Sequence, residues 1–65
     1  MPIQTKVRDF RMKEQLTQEE LAKYLGVSRQ TIISIEHGQY TPSLELAFKM
    51  AGYFHTSCEE LFTLT

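Results

Sequence analysis

The feature that most constrains this chain is a gap of four residues. One helix-forming run begins after Thr17 and another follows Ser28, and only Leu25-Gly26-Val27-Ser28 stands between them. So short a connection leaves room for a tight turn alone, and Gly26 is free to take the positive φ that closes such turns. The two helices must therefore cross steeply. Their starts are marked as well. Thr17-Gln18-Glu19-Glu20 reads as a capping box, with the threonine oxygen taking the Glu20 N–H, the glutamate reaching back, and Leu16 free to staple onto Leu21. Ser28 reads as an N-cap whose neighbour Val27 can pack on Ile32.

A steeply crossed pair of this kind, roughly 20 residues long and held by Leu21, Ala22, Leu25, Val27, Ile32 and Ile35, is a helix-turn-helix. Three more helices complete the reading. Ser57-Cys58-Glu59-Glu60 is a second capping box, and Ser43, after Pro42, opens a run with Leu44, Ala47, Met50, Ala51 and Phe54 at helical period. Val7 and Phe10, with Ile3 ahead of them, mark a first helix that stops near Glu14. With no linker, repeat or low-complexity tract, residues 1–65 form one mainly helical domain. A chain of 65 residues is near the lower size limit for folding alone, so burial must be efficient or shared with a partner. Hydrophobic residues at 42% and charged residues at 23% fit a globular chain, and no apolar run is long enough to span a membrane. The N-terminus MPIQTKVRDF lacks a secretory signal pattern, and a single cysteine cannot form an internal disulfide, which points to a reducing cytoplasm.

The net charge of −1 is unevenly spread. Through Gln30 the chain carries Lys6, Arg8, Arg11, Lys13, Lys23 and Arg29 against four acids, and from Thr31 onward only Lys49 against four more. One end can meet an anion while the other avoids it, although a solvated face alone also produces such an imbalance.

The segment TQEELAKYLGVSRQTIISIEHGQYTPSLELAFKMA resembles the DNA-binding domain of Xre/Cro/C1-type phage and bacterial repressors, and the likeness runs on through Leu61-Phe62. The resemblance implies an all-α, five-helix lambda-repressor-like fold that binds double-stranded DNA as a homodimer on a palindromic operator, without a cofactor. It makes the helix after Ser28 the recognition helix of the major groove. Helical spacing agrees, because Ile32 and Ile35 fall on one side with Thr31 at the margin, while Arg29, Gln30, Ile33 and Ser34 gather on the other. Arg29 suits guanine, Gln30 adenine, and Ser34 either kind of partner. Ile33 departs from the polar or small residue expected there: it either meets a thymine methyl or sugar edge, or is an exposed apolar side chain without function.

Phosphate contacts are expected from the frame around that helix. Thr17 and Gln18 stand at a helix N-terminus that favours an anion, with capping as the alternative role, and the resemblance has Gln18 also bracing Gln30. Ser28 and Thr31 join them. His37 is either a DNA-backbone contact, where the family often has asparagine, or a surface histidine at a helix C-terminus. Gln39, Tyr40 and Thr41 form the next loop, and Lys6 and Arg11 add charge at range.

Departures from the family pattern are few. Gln15 and His55 stand where glycine is common after the first and fourth helices, so those turns are expected to be strained or differently built. Cys58 replaces an aliphatic residue as a small hydrophobe, and although His55 and Cys58 have a spacing that could start a metal site, no second pair completes four ligands. Asp9, His37, His55 and Cys58 supply no nucleophile with a base and an orienting group, which excludes an enzyme. The remaining alternative is an antitoxin or protein-interaction module of the same fold, and a regulatory protein partner is compatible with either reading. Finally, LFTLT alternates in strand fashion and Ile3-Gln4-Thr5 has similar character, so the ends are expected to pair as a short antiparallel ribbon. Phe62 and Leu64 then serve a homodimer interface or, with Leu61, close the monomer's own core.

Overall fold

The computed structural model describes residues 3–64, and of Ile3 and Leu64 the backbone alone. Along the chain run β1 (Ile3–Thr5), α1 (Val7–Lys13), α2 (Gln18–Leu25), α3 (Arg29–Glu36), α4 (Leu44–Tyr53), α5 (Cys58–Leu61) and β2 (Phe62–Leu64). Helix starts follow their caps. Thr17 Oγ1 accepts the Glu20 N–H at 3.0 Å and the Glu20 carboxylate accepts the Thr17 N–H at 2.9 Å, so this box closes in both directions. Ser28 and Ser43 accept the N–H of Thr31 and Leu46, each at 3.2 Å. At Ser57 the hydroxyl takes the Glu60 N–H at 3.2 Å, but the Glu60 carboxylate turns to that hydroxyl at 3.5 Å, so half of the expected box forms.

Helices α1 to α4 all end in the same way. The N–H of Leu16, Val27, Gln39 and Thr56 reaches back to the carbonyl of Arg11, Ala22, Ser34 and Ala51, at 3.1, 3.0, 3.0 and 2.9 Å. This is the long bond of the Schellman motif, which needs a left-handed residue just before the donor. Gly26 and Gly38 supply it at φ 74° and 73°, whereas Gln15 and His55 supply it at φ 59° and 55°. The turns at Gln15 and His55 are therefore built as the glycine turns are, and the side chains accept a torsional cost of ~1 kcal/mol each.

One core joins the helices. Val7, Leu21, Ile32, Ile35, Met50 and Leu61 are fully buried, with Ala22, Leu25, Leu46, Ala51 and Phe54 around them. Leu16 and Val27 pack on this cluster as the staples require, and Cys58 packs there as the small hydrophobe expected. Phe10 and Phe54, with ring centroids 5.6 Å apart, tie α1 to the end of α4.

The expected ribbon is present. β1 and β2 pair antiparallel with Thr5 opposite Phe62, Gln4 opposite Thr63 and Ile3 opposite Leu64. Ile3 belongs to this ribbon and not to the first helix. Thr5 separates the two elements, because its Oγ1 accepts the Val7 N–H at 3.1 Å and so starts α1 beyond Lys6. The Lys6 N–H donates to the Leu61 carbonyl at 2.8 Å, which carries the pairing up to the foot of the helices.

Candidate nucleic-acid interface

Helix α3 packs chiefly on α2 and buries Ile32 and Ile35 against the core. With those two side chains fixed inward, the 100° step per residue turns Arg29 and Gln30 into solvent, and both are exposed. Ile33 and Ser34 follow on the same side and are half-buried. At the helix start the Ser28 and Thr31 hydroxyls lie 2.9 Å apart, which places two hydrogen-bonding groups beside Arg29.

The other end of α3 rests on a polar network. The Glu36 carboxylate, 2% exposed, accepts Arg11 Nε at 2.6 Å and Gln18 Nε2 at 3.1 Å. Arg11 Nη1 in turn donates to the Leu16 carbonyl at 2.7 Å. One carboxylate thus joins the last residue of α3 to α1 and to the first residue of α2. A buried charge is tolerated here because its partner is opposite in sign and the hydrogen bonds are made. Arg11 is thereby committed to Glu36, with its side chain 12% exposed, in place of standing free as charge at range. Gln18 likewise donates to Glu36 and not to Gln30, since a charged acceptor in a dry site outcompetes a neutral amide. Glu36 escaped attention in the sequence, although a signal was there: a carboxylate in the last turn of a helix opposes the helix dipole and calls for a cation.

The remaining residues fall into two groups and a loop. Arg8, Thr17, Gln18 and His37 line one shallow concavity above the Glu36 network. Arg8 is a second residue that sequence reasoning missed, and its spacing of three from Arg11 on α1 was the available signal. Lys6 and His37 meet across an adjoining notch that includes Gly38. Tyr40 lies with Thr31 against the turn between α2 and α3. Gln39 and Thr41 are exposed in the loop beside it. Phe62 lies apart on β2, half-buried against its own core, and the side chain of Leu64 is outside the described residues.

The described residues contain no cluster of three His, Cys, Asp or Glu placed to hold a metal ion, and no helix among them is long and apolar enough to cross a membrane.

Comparison with known proteins agrees with this geometry. Residues 7–61 match the helix-turn-helix family. An uncharacterised HTH-type transcriptional regulator of Methanocaldococcus jannaschii is 55% identical over 60 residues, covering 92% of this chain and 91% of the relative. The cryptic phage CTXphi transcriptional repressor RstR of Vibrio cholerae is 37% identical over 57 residues, covering 88% of this chain and 51% of that protein. Among solved structures, the restriction-modification controller protein C.AhdI of Aeromonas hydrophila superposes with a TM-score of 0.76 at 33% identity, covering 88% of this chain and 83% of that one. With its match spanning α1 to α5, the chain belongs to the Xre/Cro/C1-type helix-turn-helix family of DNA-binding transcriptional regulators, a non-enzymatic family.

Proposed function

We propose that the protein is a repressor that binds a palindromic operator in double-stranded DNA as a homodimer, with α3 in the major groove. The observation that carries this reading is the outer face of α3. Arg29 and Gln30 are exposed at its N-terminal end, next to the Ser28–Thr31 hydroxyl pair, while the opposite end is locked by Glu36. A helix so fixed can present base-reading groups at a set depth. Arg29 pairs with guanine O6 and N7, Gln30 with adenine N6 and N7, Ser34 with a neighbouring edge, and Ile33 with a thymine methyl.

Thr17, Gln18, Ser28, Thr31 and His37 take the phosphates flanking α3, and Lys6 and Arg8 add charge beside them. Gln39, Tyr40 and Thr41 grip the next phosphate along the strand. Arg11 contributes by positioning α2 and α3 through Glu36. The likeness to a phage repressor supports repression as the direction of control. A protein-masking module is disfavoured because the exposed part of α3 is led by Arg29 and Gln30 and not by an apolar patch.

Selection of bound duplexes from a random DNA pool tests the reading, and a palindromic consensus is the expected result. On that consensus the log of the binding constant should fall linearly with the log of salt, by ~0.9 per phosphate contacted. An unenriched pool together with salt-independent binding would rule out the DNA reading.

A further inference from the structure

The large apolar side chains that folding leaves most exposed are Leu44 at 71%, Tyr24 at 67% and Phe48 at 61%. Leu44 and Phe48 lie one turn apart on α4, and Gly52 continues the same line one turn later. None of the three serves the packing of α4, whose inward side is Leu46, Ala47, Met50 and Ala51. Gly52 is also unexplained from within. It sits in the helix, where glycine is disfavoured, and a Cβ added there would meet nothing within 4 Å. Alongside the line, Glu45 and Lys49 are exposed and 3.8 Å apart.

Operator geometry says which face a second copy can use, and this step rests on the homodimer reading above. Two recognition helices reading half-sites ~34 Å apart each lie ~17 Å from the two-fold axis. The domain measures 29 × 23 × 21 Å, so that distance exceeds half of every dimension. The face at the axis is therefore one that stands away from the outer side of α3, and α4 offers one beside the start of α3, where Glu45 and Lys49 line a concavity with Thr31. Met12 stands on α1, which packs on α3, and the Tyr24 ring already lies against Tyr53 with centroids 5.3 Å apart, which leaves the exposed stripe of α4.

We infer that the stripe Leu44-Phe48-Gly52 is the homodimer interface, covered by the antiparallel α4 of a second copy. With the two-fold axis near Phe48, the two phenyl rings meet at the centre. Leu44 then falls opposite the partner subunit's Gly52, where the missing side chain leaves room for it. Glu45 lies on the same edge as the partner subunit's Lys49, so both charge pairs cross between copies. A glycine without an internal reason, a bulky residue two turns before it, and an adjacent acid–base pair are together self-complementary, as an isologous contact requires.

Sedimentation equilibrium of the full chain between 5 and 100 µM tests this, with helix content followed by circular dichroism. The wild type should be dimeric and the double variant Leu44→Glu/Phe48→Glu monomeric with its helix signal intact, a weakening of about 100-fold or more. Gly52→Gln favours the helix and cannot fail by unfolding it, yet it should weaken the dimer by about 10-fold or more. Glu45→Lys and Lys49→Glu should each weaken self-association, and mixing the two variants should restore a dimer, because their charges complement only across the interface. A wild-type dimer untouched by Leu44→Glu/Phe48→Glu and by Gly52→Gln overturns the α4 interface while leaving the homodimer reading in place. So does dissociation by Phe62→Asp without effect from the α4 variants, which moves the contact to β2. A wild type that is monomeric and binds its palindrome as a single copy overturns the homodimer reading itself.

Discussion

Helices α3 and α4 meet the core in the same way and differ in everything they show to water. Each buries an apolar stripe, Ile32 and Ile35 in one and Leu46, Ala47, Met50 and Ala51 in the other. Outward, α3 carries Arg29, Gln30 and Ser34, whereas α4 carries Leu44 and Phe48 with a single flanking ion pair. Their anchoring differs too, since α3 is tied at its end by a buried carboxylate and α4 is held by apolar packing. The contrast teaches that folding accounts for the inner faces and leaves the outer faces open to other uses, which the proposals above assign. Folding needs neither Arg29 nor Leu44, which leaves both free for the contacts proposed for them.

The largest expected effect concerns the anchoring. Glu36→Ala leaves the Arg11 guanidinium buried without its counter-charge and should cost ~3–5 kcal/mol, much of the stability of a small domain. Phe48→Ala, on the exposed face of α4, should leave monomer stability within ~0.5 kcal/mol. Urea unfolding of both variants at concentrations low enough to keep the chain monomeric checks the contrast, and it breaks if Glu36→Ala proves as mild as Phe48→Ala. The next effect separates the two outer faces by what they read. Arg29→Ala or Gln30→Ala should each lose ~1–3 kcal/mol on the selected operator and far less on unrelated DNA. Equal losses on both sequences would make these residues backbone contacts, and competition titrations against the two duplexes decide it.

The helix ends offer a sharper, smaller comparison. Gly26→Ala adds a methyl group that meets nothing within 4 Å, so its cost, ~1 kcal/mol, is torsional alone. Gln15→Gly and His55→Gly run the other way and should each stabilise the fold by ~0.5–1 kcal/mol, read as a rise in melting temperature. A loss of stability at either site would show that its side chain makes contacts worth more than its strained φ. The smallest effect belongs to Ile33. Replacing the facing thymine by uracil removes one methyl group and should weaken binding by under ~1 kcal/mol, and unchanged affinity rejects that contact.

Much of this molecule is legible before folding because its signals are local. A serine or threonine at Thr17, Ser28, Ser43 or Ser57 captures an N–H three residues on, whatever surrounds it, and so sets where a helix begins. The apolar period along α4 and the brevity of the turn at Gly26 are local in the same sense, and with the alternation in LFTLT they specify five helices and a terminal ribbon. Other features depend on residues far apart in the chain. Glu36 finds Arg11 across 25 residues and Gln18 across 18, and only the packing of α1, α2 and α3 brings them within hydrogen-bond distance. That packing turns Arg11 from an apparent surface charge into a strut, and it sets Arg8 beside Thr17, Gln18 and His37. Gln15 and His55 show the same division from the other side. Their side chains argue against a left-handed turn, yet the docking of α2 after α1 and of α5 after α4 holds them there, because burial of the core outweighs ~1 kcal/mol of torsional strain. Sequence alone therefore determined where the four helices after α1 start, which faces the helices bury and which groups they offer outward. Tertiary structure alone decided which of those outward groups remain free, since a charge stays available only where no opposite charge folds against it.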